Sequence, residues 1–248
     1  MSRFAPANLL TLFLYGALAS VFYYLPFRLI QVHGYSALQA GAAGLPFALV
    51  ISILSRWAGG MTAKVGGRLL LVVGSLIAAI GFALFARGGA DRVNYLTDVF
   101  PAVFVMGVGF AILIAPLSTI VMNSVDARHA GVASGINNFV SRVAGLLAVA
   151  LVGLLVVRAF DDGLEKRLDA LGPRPDVRAA VEEQRDRLAG IETPVTATPD
   201  ERQALRDAVN ESFLEGFRAQ AWASAIAGLL AALCAAALVR DTRRKPAT

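Results

Sequence analysis

The stretch VFPAVFVMGVGFAILIAPLSTIVM, residues 99–122, runs for 24 residues without a charged side chain. A helix needs about 20 mainly apolar residues to cross the hydrocarbon core of a bilayer. This stretch therefore reads as a membrane span. Working outward, five further runs meet the same test, at residues 8–30, 40–61, 69–86, 132–157 and 217–239. The pattern predicts an all-α membrane protein with six transmembrane helices.

The acids sharpen that reading. The first carboxylate is Asp91, and residues 1–90 contain no Asp or Glu. Of the 18 acids in the chain, 14 fall within residues 161–215, beside eight Lys or Arg, for a net charge of −6. The remainder carries +11. The basic total is thus not a nucleic-acid footprint: its cations sit at the ends of apolar runs, where they anchor helices and bias topology. The chain divides into five spans in residues 1–160, a charged extracytoplasmic loop at 161–214, and the sixth span with a basic tail at 215–248.

With the N-terminus in the cytoplasm, Arg3, Lys64, Arg68, Arg128 and the tail cations Arg240, Arg243, Arg244 and Lys245 all lie inside. The short outer connections hold only Arg87 and Arg92. The excess of cytoplasmic cations favours this orientation, a multi-pass protein of the plasma (inner) membrane with both termini cytoplasmic. The first run is too long for the apolar part of a signal peptide and reads as a retained helix. The long outer loop has breakers at Pro173, Pro175, Pro194 and Pro199. Between them, residues 176–188 and 202–213 favour helix, the second with Thr198 as cap and Pro199 at its first position. The loop is either two or three short helices over the outer mouth or a solvated charged linker.

No catalytic constellation is visible, and the pattern implies no enzyme, cofactor or metal. Cys234 is alone within an apolar run, and His33 and His129 are isolated near helix ends. Gly107 and Gly109 lack the third glycine of a dinucleotide loop and suit a close helix contact. Gly131, Gly135 and Gly145 offer the same, and Pro116 is placed to kink its helix.

Polar groups inside spans are costly and so informative. Asn138, Ser141, Arg142 and Gly145 fall on one face of the fifth span, after Asn137. Arg142 either serves the interior or a gate, or reaches back to the interface. Arg28 and Arg56 lie nearer span ends, where snorkelling is the stronger reading. Tyr15 and Phe22 share a face and either line a path for flat apolar solutes or simply pack. Asn123 closes the fourth span.

Between the second and third spans, Gly60-Met-Thr-Ala-Lys64-Val-Gly66-Gly67-Arg68 resembles the cytoplasmic loop motif of the major facilitator superfamily. That motif reads Gly, three residues, Asp-Arg, one residue, Gly-Arg. Gly60, Gly67 and Arg68 match. Lys64 and Val65 replace the charged pair. Gly107-x-Gly109 with Pro116, the run from Ala130 to Asn138, and Arg142-x-x-Gly145 are similar to the C-terminal half of the 14-span drug:proton antiporters of the EmrB/QacA type. The stretch Glu211 to Phe217 entering the last span fits their long outer loop.

The resemblance implies one six-helix half with a 3+3 inverted repeat, forming one wall of a central cavity that works by alternating access. It implies proton-driven efflux of amphipathic small molecules, with Tyr15, Phe22, Asn123, Asn137 and Asn138 along the substrate path. Gly60, Lys64, Gly67, Arg68 and Arg142 would gate. The expected partners are the lipid bilayer, protons, and either an N-terminal half of six or eight spans or a second copy of the chain. Two other readings stay open: a non-transporting membrane or assembly protein, and a homodimeric permease.

Overall fold

In hydrocarbon a backbone must satisfy its own hydrogen bonds, and each apolar run here does so as a helix. A computed structural model describes residues 4–89 and 94–239. Asp91, Arg3, Arg92 and the tail cations used in the charge count lie outside the described residues. The helices are α1 (Phe4–Phe27), α2 (Ala37–Ala42), α3 (Leu45–Val65), α4 (Gly67–Leu84), α5 (Phe100–Met122), α6 (Ala130–Leu171), α7 (Pro175–Glu182) and α8 (Pro199–Leu238). Wider helical turns extend α1 through Arg28–Val32 and lead into α5 at Tyr95–Val99. Six segments are long and apolar enough to cross a membrane: α1, α2 with α3, α4, α5, α6 and α8. The described residues contain no strand.

Local chemistry sets the breaks. Gly66, at φ +95°, separates α3 from α4, a backbone conformation that side chains with a Cβ disfavour. Gly172 ends α6 in the left-handed region, its N–H bonded to the Leu168 carbonyl. Thr198 and Glu201 cap each other's backbone at the start of α8, and Ser36 and Gln39 do the same for α2.

Two helices run further than their apolar content announces. α6 has 42 residues and α8 has 40, so each is about 60 Å long at 1.5 Å per residue, twice the hydrocarbon core. The divisions at residues 161 and 214 therefore fall inside continuous helices. The helix looked for at 202–213 is the first part of α8. The helix looked for at 176–188 is α7 followed by a tight turn at Arg185–Gly190. The extensions hold together because Phe160, Leu164 and Leu168 of α6 share a buried core with Val177 and Val181 of α7 and Leu205, Val209 and Phe213 of α8. Arg167 joins them across the rim, 3.0 Å from Glu211 and 2.8 Å from Glu215.

The six long helices pack as two interleaved triplets. α1 lies against α6 and α8, and α5 lies against α3 and α4. Advancing each span by three places carries the first pattern onto the second and the α4–α8 contact onto itself; the extensive α6–α8 contact breaks the symmetry, since α3 and α4 touch only slightly. Close approach of α4 and α5 depends on missing side chains: a Cβ at Gly81 would stand 2.5 Å from the Met106 nitrogen, and one at Gly109 would stand 2.5 Å from the Ala78 nitrogen. α3 and α6 are left most open, with Leu49, Ile53, Trp57, Leu147, Leu151 and Leu154 all exposed.

Candidate functional site

Tyr15 and Phe22 enter one aromatic cluster. The Tyr15 ring meets Phe110 edge-on at 6.1 Å between centroids, Phe22 meets Phe47 at 5.2 Å, and Phe47 meets Phe110 at 5.6 Å. The cluster links α1, α3 and α5, and both residues remain half-buried at its edge. Gly44 makes room for it, since a Cβ there would stand 2.9 Å from the Phe22 ring.

The polar face of α6 splits in two. Asn137 turns inward, its amide donating to the Thr11 hydroxyl at 2.7 Å and to the Asn8 carboxamide oxygen at 3.2 Å, both on α1. Gly145 also faces α1, where a Cβ would stand 3.1 Å from that of Ala19. Asn138 and Arg142, one turn apart, are exposed instead. Arg142 lies 12 residues into α6, about 18 Å along its axis. No carboxylate pairs with it among the described residues. Ser141 donates back to the Asn138 carbonyl. Sequence reading missed Asn8 and Thr11, because polar residues at the start of a span look like interfacial ones.

The expected gating loop is partly tied down. A Cβ at Gly67 would stand 3.2 Å from Ile120 on α5. The Arg68 guanidinium donates to the Ala236 carbonyl near the end of α8. Gly60 and Lys64 are exposed on the last turns of α3, and Asn123 is exposed at the end of α5. Among the expected packing residues, Gly107 abuts Val50 of α3, Gly109 abuts α4, and Pro116 is buried within α5. Gly131 and Gly135 are not at a helix contact: both are exposed, with nothing within 4 Å of a Cβ position. Ala133 and Asn137 carry the inward face of these turns, and the two glycines fall on the other side of the helix, where they meet no neighbour.

Arg28 corrects the snorkelling expectation. It is only 1% exposed. Its guanidinium donates to the Phe85 and Arg87 carbonyls, each at 3.1 Å, and lies 4.9 Å over the Phe217 ring. The negative pole of α4 ends there, so the cation closes carbonyls that the helix leaves open. Arg218 of α8 reaches the same turn, donating to the Gly88 carbonyl at 3.0 Å. Arg56, by contrast, is exposed on α3. Beside the knot, burial and the Arg28 charge push the His33 imidazole down to about 4, against the opposing pull of Asp98.

Sequence comparison places this geometry among known proteins. The Major Facilitator Superfamily model matches residues 2–149. The chain is 26% identical over 198 residues to the "Multidrug resistance protein Stp" of Mycobacterium tuberculosis, covering 76% of the chain and 35% of that protein. It is 27% identical over 228 residues to the "Tetracenomycin C resistance and export protein" of Streptomyces glaucescens, covering 90% and 40%. It is 32% identical over 137 residues to the "Puromycin resistance protein pur8" of Streptomyces alboniger, covering 54% and 27%. The chain thus spans well under half the length of these relatives.

Proposed function

Since the chain belongs to the major facilitator superfamily, we propose that it supplies the C-terminal wall of a proton-driven efflux permease for amphipathic drugs or antibiotics. The wall encloses a central cavity, and export proceeds by rocking it against a second set of spans. The names of the relatives, which speak of multidrug resistance, of puromycin resistance, and of tetracenomycin C resistance and export, support the substrate class.

One observation carries the wall reading. Asn138 and Arg142 are exposed about 12 and about 18 Å along α6, on a helix that crosses the membrane in this reading. A bare Arg at that depth facing lipid costs about 2.5 kcal/mol or more. Water in a cavity or polar groups of a facing segment remove that cost. The facing segment is either a set of six or eight N-terminal spans or a second copy of the chain, covering α3 and the Asn138–Arg142 side of α6. Tyr15 and Phe22 line the apolar part of the cavity, with the path continuing past Asn137 and Asn138 to Asn123. Where the facing segment is the N-terminal set of spans, the coupling proton binds a carboxylate there, since the six apolar runs of this chain contain no Asp or Glu. The Gly60–Arg68 turn acts on the cytoplasmic side, where both termini also lie, in the plasma membrane.

Ethidium efflux from cells tests this directly. Cells expressing the chain together with an N-terminal segment of six or eight spans should clear dye faster than cells with either part alone. Arg142→Leu should abolish the gain while leaving the protein in the membrane. Efflux by the chain alone, with dimers in native mass spectra, would favour the second copy. No efflux from any combination sinks the reading.

A further inference from the structure

A groove of about 230 Å³ runs between α1, α6 and α8, and none of its lining residues belongs to the aromatic cluster or the Asn137 contacts. Its floor is made of small residues. A Cβ at Gly16 would stand 3.1 Å from that of Ala148, so α1 and α6 touch there and leave a trough beside the contact. Leu147 and Leu151 form one rim, and they are 51% and 64% exposed. Both fall within the apolar stretch of α6, so the trough opens sideways into hydrocarbon rather than toward either aqueous face.

The lining decides what fills it. Ser224 is the one polar residue among those lining the trough, and its hydroxyl already accepts from the Gln220 amide at 3.0 Å. Nothing in the wall is offered to a cationic or hydrogen-bonding head group. A dry apolar cavity of about 150 Å³ is enough to take up benzene, so this trough holds a longer piece of hydrocarbon. An empty trough would forfeit the dispersion contacts of its whole lining.

We propose that this groove retains one acyl chain of a bilayer phospholipid, wedged between α6 and α8 against the small-residue floor. The inference rests on the membrane reading but not on the transport reading.

The test uses the full chain in vesicles of phosphatidylcholine and phosphatidylglycerol, a fraction of them carrying a photoactivatable diazirine on an acyl chain. After irradiation, labelled residues are mapped by mass spectrometry. Leu147 and Leu151 should be labelled about tenfold more than Ile53 and Trp57 of α3, which are exposed outside the groove; tenfold corresponds to about 1.4 kcal/mol of preference. Ala227→Leu and Ala223→Leu, which fill the trough from α8, should each reduce the excess to the α3 level while circular dichroism stays helical. Equal labelling of α3 and the groove overturns the proposal. So does an excess that survives both substitutions in folded protein, or one that ethidium displaces, which would make the trough a solute site. If neither surface is labelled, the membrane reading itself fails.

Discussion

The guanidinium of Arg28, at the end of α1, lies 4.9 Å over the ring of Phe217, midway along α8, while its two terminal nitrogens hold carbonyls beyond the end of α4. One side chain thus joins three helices that are far apart in sequence. Arg28→Ala leaves two acceptors unmet and strips a ring face. It should cost about 2–4 kcal/mol, since hydrogen bonds to charged groups contribute about 1.5–3 kcal/mol each and relief of desolvation returns part of that. Melting of the purified chain should fall by roughly 4–16 °C on the scale for domains of this size. Arg28→Lys should recover only part, because an ammonium cannot reproduce the planar fork. Melting of Arg28→Ala at the wild-type temperature would show that the knot contributes nothing.

Asn137 predicts a smaller effect. Its amide bridges α6 to Thr11 and Asn8 of α1. Hydrogen bonds between membrane helices contribute about 0.6 kcal/mol on average, up to about 1.7. Asn137→Ala should destabilise by roughly 1 kcal/mol. A cycle with Thr11→Ala separates the shared bond from the rest, because the second substitution costs less once the first has been made. Strictly additive costs would mean that the two side chains do not interact in solution.

These two residues also mark what can be read from a sequence. The six spans were legible because spanning depends on apolar content over about 20 residues, a property that needs no knowledge of neighbours. Asn137 stood out for the same reason, as a polar group inside such a run. Its partners Asn8 and Thr11 did not, because their meaning arises only when α1 is laid against α6. Arg28 misled for a related reason. Position along the chain put it near an end, free to reach water, but Phe217 of α8 and the carbonyls beyond α4 close over that end. The extension was itself hidden, since Arg, Glu and Asp on its outer face lower the average while Leu205, Val209 and Phe213 keep a helical stripe inside.

Glycines separate packing from mere flexibility. A Cβ at Gly81 would stand 2.5 Å from the Met106 nitrogen and 2.6 Å from its Cα, both backbone atoms that cannot swing aside. Gly81→Ala should push α4 from α5 and cost about 1–3 kcal/mol. Gly60 sits in the helical interior of α3 with nothing within 4 Å of a Cβ. Gly60→Ala should leave stability unchanged or raise it by about 0.4–1 kcal/mol, through the reduced freedom of the unfolded chain. Similar melting temperatures for the two variants would contradict the packing described here.

His33 gives the fold an acid limit. Its imidazole is held down at about 4 in the folded chain, first by burial and then by the Arg28 charge. In the unfolded chain an ordinary imidazole titrates near 6.5. Between those values the unfolded state binds the proton and the folded state does not, so stability rises with pH across this window. Above about 6.5 both states are neutral and the contribution is complete; it is lost progressively as the pH falls toward about 4. His33→Gln removes the titration and keeps a polar side chain of similar size. Denaturation of the two proteins should therefore run parallel above pH about 6.5 and diverge below it, the wild type losing stability faster. A constant difference between them over the whole range would mean that His33 titrates alike in both states, and that the Arg28 knot does not reach it.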